Sequence, residues 1–376
     1  MMRILMLTGN SSLLDGINRH ILNIAPVLNS FDGMEVRVCS IMPGGELHEE
    51  LDKAGVKSYS LGFPNGHQVG IISAFRRVVK DFRPDIVHSH VMSIMQRFYL
   101  SYFARDIKYV VTIHGISDPI KPSARYRLEK ALLSISPIRI NAKLFISQGV
   151  KDSLIDLFND EAITEVCYNP ISFDSPKHTG KLQCLIGKDG DTKIIGTACR
   201  LSTVKNPQAF TDVMCRVLVD MPEVNAVVLG DGPENLKDEC RRIVRQYNVE
   251  KRFHWLGYRP DASKLIADMA CFVMTSHSEG MPTSLLECFV AKTPVALFEG
   301  KGGLKDIAML NPKTHPIAAM TLAGDNSGLS KKIEKILSHT ENTDVMTANA
   351  YQIAKANFDV QNICMKMLNI YKSIYE

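Results

Sequence analysis

Short apolar runs rich in β-branched residues alternate with amphipathic stretches along most of the chain. The runs are five or six residues long and end at turn-forming residues, which is typical of buried strands. The stretches between them, such as ILNIAPVL and IISAFRRVVKDF, carry apolar residues at helical spacing. Two series of strands are predicted, at residues 3–8, 36–41, 85–89, 109–113 and 143–147, and then at 193–198, 225–230, 253–257, 271–275 and 294–298. This alternation predicts parallel sheets that helices cover on both faces.

The segment between the two series divides the chain into two domains. Residues 172–193 are rich in proline, glycine and charge, as interdomain linkers are. The length of 376 residues also exceeds what one hydrophobic core normally supports. We therefore predict an α/β protein of two doubly wound, Rossmann-like domains facing across a cleft. The predicted domains are residues 1–172 and 190–357, with a C-terminal helix at about 358–376 that packs back on the first domain.

Composition and cysteine usage are typical of a folded protein of a reducing compartment. Hydrophobic residues make up 45% and charged residues 22% of the chain. The nine cysteines stand singly and several lie in apolar runs, so reduced core thiols are expected. No apolar run is long enough for a signal peptide or a membrane span, and the expected location is cytoplasmic.

The net charge of +4 is concentrated in one part of the chain. Residues 71–150 hold thirteen lysines and arginines against five acidic residues. A solvated basic face and a surface that meets anionic lipid or phosphate both fit this pattern. Nucleic acid is not an expected partner, because no RNA-binding or zinc-finger motif is present.

A predicted strand is followed by a short loop and a helix in residues 278–295, SEGMPTSLLECFVAKTPV. Pro282 suits the first helical position, where its missing N–H would go unpaired anyway. The amides of Thr283, Ser284 and Leu285 are then free. A strand, a tight loop and a helix N-terminus together form an anion site, and a phosphate group suits it.

Two glutamates flank this helix N-terminus. Glu287 lies one turn above Thr283, where an ionised carboxylate can accept from both hydroxyls of a ribose. Glu279, on the other side of Gly280, reaches beyond the phosphate toward hydroxyls of the attached group. The pair would thus bracket a sugar nucleotide. The alternative is a capping box from Ser284 to Glu287, in which Glu287 only accepts from a backbone N–H.

Two further strand-to-helix loops carry candidate phosphate contacts. Residues 196–207, GTACRLSTVKNP, place Arg200 and Lys205 on one loop, which suits a diphosphate, although a solvated charge pair also fits. Residues 7–21, LTGNSSLLDGINRHI, place Gly16 near a helix start, where a phosphate can approach the backbone. A simple turn glycine is the alternative there. The missing G-x-G-x-x-G pattern argues against a dinucleotide.

Histidines stand at the ends of two predicted strands of the first series. His88 and His90 end one strand, and His114 ends the next, before the permissive Gly115. His114 could hydrogen-bond a sugar hydroxyl, and a packed core histidine is equally compatible. We predict no metal site from these three histidines, because their spacing does not dictate a ligand geometry.

The motifs together, in this order and spacing, resemble the retaining family 4 glycosyltransferases of the glycosyltransferase-B fold over nearly the whole chain. HSEGMPTSLLECFVAKTPV looks like the E-x7-E signature of that family and TACRLSTVKN like its Arg/Lys loop, and LGDGPE, WLGYRPD, VTIHG, FISQGV and CYNPIS look like its other recurrent segments. The resemblance implies catalytic roles for Arg200, Lys205, Glu279 and His114, and substrate-binding roles for Gly16, Tyr258, Arg259, Gly280, Thr283, Ser284 and Glu287.

Each role follows from the motif that carries it. By resemblance, Arg200 and Lys205 bind the donor diphosphate with the helix amides, Glu287 holds the ribose and Glu279 the donor sugar. Gly16 and His114 would approach from the N-terminal domain. Tyr258 and Arg259 match a region that lines the base pocket.

Three positions depart from the family's pattern. Asp15-Gly16 stands where paired glycines are frequent, and Thr293-Pro294 replaces Gly-x-Pro. The later Gly-Gly-x-x-Glu pattern ends in the shorter acid Asp306.

The resemblance implies a retaining, metal-independent hexosyltransferase with no cofactor, and we expect the chain to lack a D-x-D triplet that would hold a metal on the diphosphate. Its donor would be a nucleotide-diphosphate sugar, with UDP expected before GDP. Its acceptor would be a saccharide, lipid-linked by expectation, in polysaccharide, lipopolysaccharide or oligosaccharide synthesis. The basic region then suggests a peripheral contact with an anionic membrane. Two alternatives are a sugar-nucleotide 2-epimerase of the same fold and a non-catalytic nucleotide-sugar-binding protein.

Overall fold

The computed structural model of the protein describes residues 1–13, 15–91, 94–115, 140–155, 161–173, 178–310, 316–340 and 342–376. The chain divides into two compact units. The first unit comprises Met1–Pro170 together with Val360–Glu376, and the second comprises Ile171–Asp359.

The first unit is built on a seven-stranded parallel sheet with the strand order β3-β2-β1-β4-β5-β6-β7. Its strands are β1 (Met2–Thr8), β2 (Met34–Ser40), β3 (Ser58–Ser60), β4 (Ile86–Ser89), β5 (Lys108–Ile113), β6 (Ala142–Phe145) and β7 (Ile163–Val166). Its helices in the described residues are α1 (Gly16–Asn29), α2 (Glu46–Lys53), α3 (Gly70–Phe82), α4 (Ile94–Phe103), α5 (Gln148–Leu154) and, at the end of the chain, α14 (Val360–Tyr375).

Helices cover both faces of this sheet, because strand side chains point alternately to opposite sides. Ile4 and Met6 of β1 pack into a core with α1, α2 and α14. Leu5 and Leu7 of the same strand pack into a second core with α3 and α4. The C-terminal helix therefore belongs to the first unit, where Tyr371 is fully enclosed.

The second unit contains a six-stranded parallel sheet with the order β10-β9-β8-β11-β13-β15 and a short pair, β12-β14. Its strands are β8 (Ile194–Ala198), β9 (Asn225–Leu229), β10 (Phe253–Gly257), β11 (Cys271–Met274), β12 (Ser278–Glu279), β13 (Val295–Phe298), β14 (Lys301–Gly302) and β15 (Ala319–Thr321). Its helices in the described residues are α6 (Lys181–Leu185), α7 (Pro207–Asp220), α8 (Glu234–Gln246), α9 (Ala262–Leu265), α10 (Thr283–Ala291), α11 (Gly303–Leu310), α12 (Asn326–Leu337) and α13 (Thr343–Phe358). The prediction of two doubly wound parallel-sheet domains is confirmed. None of the helices in the described part of the chain combines the length and apolarity that a membrane crossing requires.

Residues 178–193 are folded into the second unit, so the expectation that 172–193 is only a linker is wrong for this part. The buried carboxylate of Asp268 accepts hydrogen bonds from the amides of Thr179, Gly180 and Leu182 at 2.6, 3.0 and 3.0 Å. Burial alone would raise the pKa of Asp268, but these three hydrogen bonds outweigh it and lower the pKa. The segment is polar in sequence because it wraps a buried charge.

Replacing Asp268 with asparagine is expected to lower the free energy of unfolding by about 1–3 kcal/mol near neutral pH, since the amides of Thr179, Gly180 and Leu182 lose a charged acceptor. The pKa of Asp268 in the folded state is below the ordinary value of 3.8, so its contribution is present above that pH. The contribution is lost as the pH falls through the folded pKa. Urea unfolding midpoints of the two proteins should therefore converge in acid. Asp189→Asn, at an exposed site, is the control, and an equal effect of both changes would contradict the prediction.

Candidate functional site

The loops that follow β8 and β9 lie in close backbone contact at the carboxyl ends of these strands. The amide of Leu201 donates to the carbonyl of Asp231 at 2.9 Å. A Cβ atom on Gly230 would lie 1.8 Å from the carbonyl oxygen of Cys199, and one on Gly232 would lie 2.4 Å from that of Leu201. The two glycines of LGDGPE are thus required by the close approach of the loops, which fixes the loop that carries Arg200.

A second set of contacts fixes the far end of the same loop against β11. Thr203–Lys205 form a 3-10 turn, and Asn206 adopts a left-handed conformation with φ of 51°. The Thr275 hydroxyl donates to the carbonyl of Asn206 at 3.0 Å, and the amide of His277 donates to the carbonyl of Val204 at 2.9 Å. The position of Lys205 is therefore set by tertiary contacts.

The Lys205 ammonium donates to both carboxylate oxygens of Glu279, at 2.5 and 2.7 Å. The side chain of Glu279 is 9% exposed and that of Lys205 is 25% exposed. The sequence predicted both as site residues, with Lys205 on the phosphate and Glu279 on the sugar. The structure brings them together as an ion pair. Arg200, on the same loop, is exposed and makes no hydrogen bond or ion pair with any described residue.

Glu279 is held by the β12-β14 pair, in which it lies opposite Gly302. Gly302 has φ of +68°, and a Cβ there would lie 2.2 Å from the carbonyl oxygen of Glu279. A Cβ on Gly303 would lie 2.6 Å from the carbonyl oxygen of Gly280. The sequence shows the two adjacent glycines, but nothing in its pattern indicates that they pack against the backbone of the Glu279 loop.

Helix α10 begins at Thr283 and leaves two amides without partners. Pro282 is the residue before the helix, so its expected place at the first helical position is wrong. The amide of Leu285 donates to the carbonyl of Pro282 at 3.1 Å, and it is not free as expected. The amides of Thr283 and Ser284 make no hydrogen bond with any described residue. Because Ser284 is inside the helix, the alternative capping box from Ser284 to Glu287 does not form.

Tyr258 and Arg259 follow β10, as expected, but the guanidinium of Arg259 is already engaged. It donates to Asp261 at 2.9 and 3.0 Å, and Lys181 donates to the same carboxylate at 2.6 Å. The hydrogen bonds from Arg259 and Lys181 lower the pKa of Asp261 to about 2. Tyr258 is 37% exposed, so its ring is the freer of the two candidates for a nucleobase.

A D-x-D triplet is present elsewhere in the second unit, at Asp189–Asp191. It is exposed in the turn before β8, whereas Lys205 follows that strand. The five residues of β8 separate the triplet from the Lys205 loop by about 17 Å. The triplet does not belong to this site.

Gly16 in the first unit is the first residue of α1, and its surroundings differ from the expectation. The carboxylate of Asp15 accepts from the amide of Ile17 at 3.0 Å, while Asn10 donates to it at 2.9 Å. This carboxylate occupies the helix N-terminus and would repel a phosphate there. A Cβ on Gly16 would meet nothing within 4 Å, so no fold contact requires a glycine at this position. Its binding role stays a prediction.

The predicted histidines of the first unit meet at the carboxyl ends of β4 and β5. His90 Nδ1 and His114 Nε2 are 3.0 Å apart. Both ring nitrogens of His88 are hydrogen-bonded, one to the hydroxyl of Tyr371 at 2.6 Å and the other to that of Thr112 at 2.7 Å. His88 therefore acts as a structural residue, whereas Nε2 of His90 has no hydrogen-bond partner among the described residues.

His20 on α1 completes the cluster and was missed, because a histidine inside a helix has no strand-end position to mark it. Its ring centroid lies 5.2 Å from that of His90 and 5.1 Å from that of His114. Burial lowers the pKa of all four histidines, to about 3 for His88 and His114 and well below the ordinary value for the other two. The cluster is uncharged at neutral pH.

Known proteins match the chain along both units. Residues 185–353 match the family model "Glycosyl transferases group 1", and residues 14–175 match "Glycosyltransferase Family 4". Over 257 residues, 67% of this chain, it is 24% identical to the poly(ribitol-phosphate) alpha-N-acetylglucosaminyltransferase of Staphylococcus aureus. It is 21% identical to the N-acetyl-alpha-D-glucosaminyl L-malate synthase of Bacillus anthracis, with 91% of this chain and 87% of that protein covered.

These matches differ in how much of the known protein they cover. The chain spans 47%, 18% and 22% of the length of the first three curated relatives. Among solved structures, Anabaena HepE in complex with UDP and glucose superposes with a TM-score of 0.80 at 20% identity, with 99% of this chain and 100% of that chain covered. At this identity the superposition shows the fold alone.

Proposed function

We propose, because the chain belongs to the group 1 and family 4 glycosyltransferases, that it transfers a sugar from a nucleotide-diphosphate donor to a saccharide acceptor with retention of anomeric configuration. The observation that carries the proposal is the Lys205–Glu279 pair, with Arg200 exposed on the same loop as Lys205 and making no hydrogen bond or ion pair with a described residue. Four residues after Glu279 comes the helix start, where two amides make no hydrogen bond with a described residue. Cations, amides and a carboxylate of this kind suit a sugar joined to a diphosphate.

Breaking the glycosyl phosphate bond places negative charge on the departing diphosphate and positive charge on the sugar. Arg200, Lys205 and the amides of Thr283 and Ser284 would stabilise the first charge as preorganised donors. Lys205 would leave Glu279 for the phosphate, which frees the carboxylate for the sugar. The leaving phosphate oxygen would take the acceptor's proton, so no general base is assigned. Stabilisation by these groups requires no metal and no cofactor.

The donor is proposed to be a UDP-sugar, with GDP as the second choice. Support comes from HepE, whose solved complexes contain UDP, UDP and glucose, or UDP-glucose. For the acceptor, one relative is named for poly(ribitol-phosphate) and two for diphosphoundecaprenol-linked sugars. We propose an acceptor of the same classes, a cell-surface polymer or a lipid-linked glycan.

A panel of UDP- and GDP-sugars, incubated with and without candidate acceptors, tests the function. Slow release of free sugar and UDP by the wild type, but not by Glu279→Gln, is expected, and NMR of the transfer product should show the donor's anomeric configuration. Release of an altered nucleotide sugar without acceptor would identify an epimerase. Binding of a donor with no turnover would identify a non-catalytic binder.

We also propose that the first unit contacts an anionic membrane surface. The end of α4 exposes Tyr102 and Phe103, by 52% and 66%, and the exposed Arg105 follows them. Aromatic rings beside basic groups suit a lipid interface. Residues 116–139, which carry much of the predicted basic region, lie outside the described residues.

Liposomes containing anionic lipid are expected to co-sediment the protein at low salt and to release it at high salt. Tyr102→Ser with Phe103→Ser should weaken the binding. Met309→Ser, which removes a 72% exposed apolar residue from the second unit, should leave it unchanged. Absence of binding at low salt would reject the membrane contact and leave the transferase proposal untouched.

A further inference from the structure

His20, His90 and His114 of the first unit face one another, and the hydrogen bond between His90 Nδ1 and His114 Nε2 leaves other ring nitrogens of the cluster without a partner among the described residues. Both ring nitrogens of His20 and Nε2 of His90 are enclosed and have no hydrogen-bond partner among the described residues. One ring nitrogen from each of the three histidines lies within 4.8 Å of the others. Buried polar atoms of native proteins are nearly always paired. The three rings therefore offer binding capacity that the fold itself does not use.

The chemistry of the imidazole ring suits a cation as the missing partner. A neutral imidazole carries a lone pair on one nitrogen, and this is the form that binds metals.

The donor set selects among cations. Within the described residues, the group contains imidazole nitrogens and neither a carboxylate nor a thiol. Imidazole suits Zn²⁺, Cu²⁺ and Ni²⁺, whereas Mg²⁺ and Ca²⁺ prefer oxygen ligands. Three histidines at about 2.0–2.1 Å from Zn²⁺ leave a fourth position open. The side chain of Asn169 lies beside His20, and its oxygen is enclosed without a hydrogen bond to a described residue. This oxygen is the candidate for the fourth ligand.

We propose that His20, His90 and His114 bind one Zn²⁺ ion, or a transition-metal ion of the same preference, at the carboxyl edge of the first unit's sheet. A tetrahedral site brings its ligand nitrogens to about 3.3 Å from one another. The three nitrogens, which now lie within 4.8 Å of one another, must therefore move closer together. The Asn169 side chain is a polar neighbour of the His20 ring, but no well-formed hydrogen bond to a described residue holds either ring nitrogen. The ring of His88 lies against that of His90, with centroids 4.4 Å apart and planes tilted by 35°, and would help to fix the orientation of that ligand.

Occupation of the site has a consequence for turnover that rests on the proposed function. The sequence predicts a hydrogen bond from His114 to a sugar hydroxyl, so a bound ion and the sugar would compete for one imidazole. The ion would then act as an inhibitor of transfer. Binding of the ion itself does not depend on the sugar nucleotide.

Equilibrium dialysis of the chelator-treated, tag-free chain against Zn²⁺ tests the proposal. One ion per chain is expected, and each of His20→Gln, His90→Gln and His114→Gln should weaken binding by at least about tenfold. His67→Gln changes an exposed histidine of the same unit and should bind as the wild type does. Failure of the wild type to bind one ion, or equal binding by all three site variants, would overturn the site.

X-ray absorption of the Zn²⁺-loaded wild type decides the matter where a variant does not fold. Three imidazole nitrogens at about 2.0–2.1 Å support the proposal, and a shell of oxygen atoms overturns it. Donor hydrolysis measured with and without Zn²⁺ separates the two proposals. Binding of Zn²⁺ by a chain that turns over no donor would reject the transferase function and support the metal site.

Discussion

Lys205→Met is expected to lower kcat by about 10²–10³-fold, the usual loss when one preorganised donor to a developing anion is removed. Methionine keeps the length of the side chain and removes its charge. The variant also leaves the Glu279 carboxylate, which is 9% exposed, without its partner at 2.5 Å. Unfolding should therefore become easier by about 1–3 kcal/mol. Steady-state transfer assays and urea unfolding measure the two effects separately.

The double variant Lys205→Met with Glu279→Gln separates the loss of turnover from the loss of folding stability. It removes both charges of the pair, so part of the lost stability should return while activity stays low. Lys237→Met is the matched control, since Lys237 pairs with Asp231 and Glu234, which are 58% and 62% exposed, on α8 and the loop before it. Its turnover should remain near that of the wild type. A Lys205→Met enzyme with unchanged kcat would remove Lys205 from the reaction.

Gly230→Ala is expected to destabilise the second unit by about 1–3 kcal/mol or more, because the new Cβ would lie 1.8 Å from the carbonyl oxygen of Cys199. The obstacle is backbone, so one of the two loops must move. The Arg200 loop would be displaced with it, and affinity for a nucleoside diphosphate should fall. Thermal unfolding and calorimetric titration with UDP measure these effects.

Gly190→Ala provides the comparison for Gly230→Ala. A Cβ at Gly190 would meet nothing within 4 Å, so the same chemical change should have little effect on unfolding or on UDP binding. Wild-type stability and affinity in Gly230→Ala would show that the loops can separate without cost, and would contradict the rigid site described above.

The apolar runs predicted most of the strands, because a strand buried on both faces must be apolar at almost every position. Strand β7 was not predicted, since all four of its residues are only half-buried and the strand lacks an apolar run. Strands β12 and β14, of two residues each, also escaped, because close backbone contact at Gly302 defines them and hydrophobic pattern does not.

The site residues could be chosen from the sequence, but their partners could not. Lys205 and Glu279 are 74 positions apart, and only the packing of two loops makes them neighbours. The same limit applies to His20, which meets His90 through the placement of α1 on the sheet. The exact start of α10 depends on the backbone of Pro282, which the residue type alone leaves open by one position.

The position of α14 in the chain, after the whole second unit, affects the order in which the two units can fold. The second unit is continuous in sequence, from Ile171 to Asp359, so it can fold as soon as it leaves the ribosome. The first unit needs Ile363, Met367 and Tyr371 to close one face of its sheet. The first unit thus begins before the second in the chain but is completed after it, and one apolar face of its sheet stays uncovered until residues 360–376 have been synthesised.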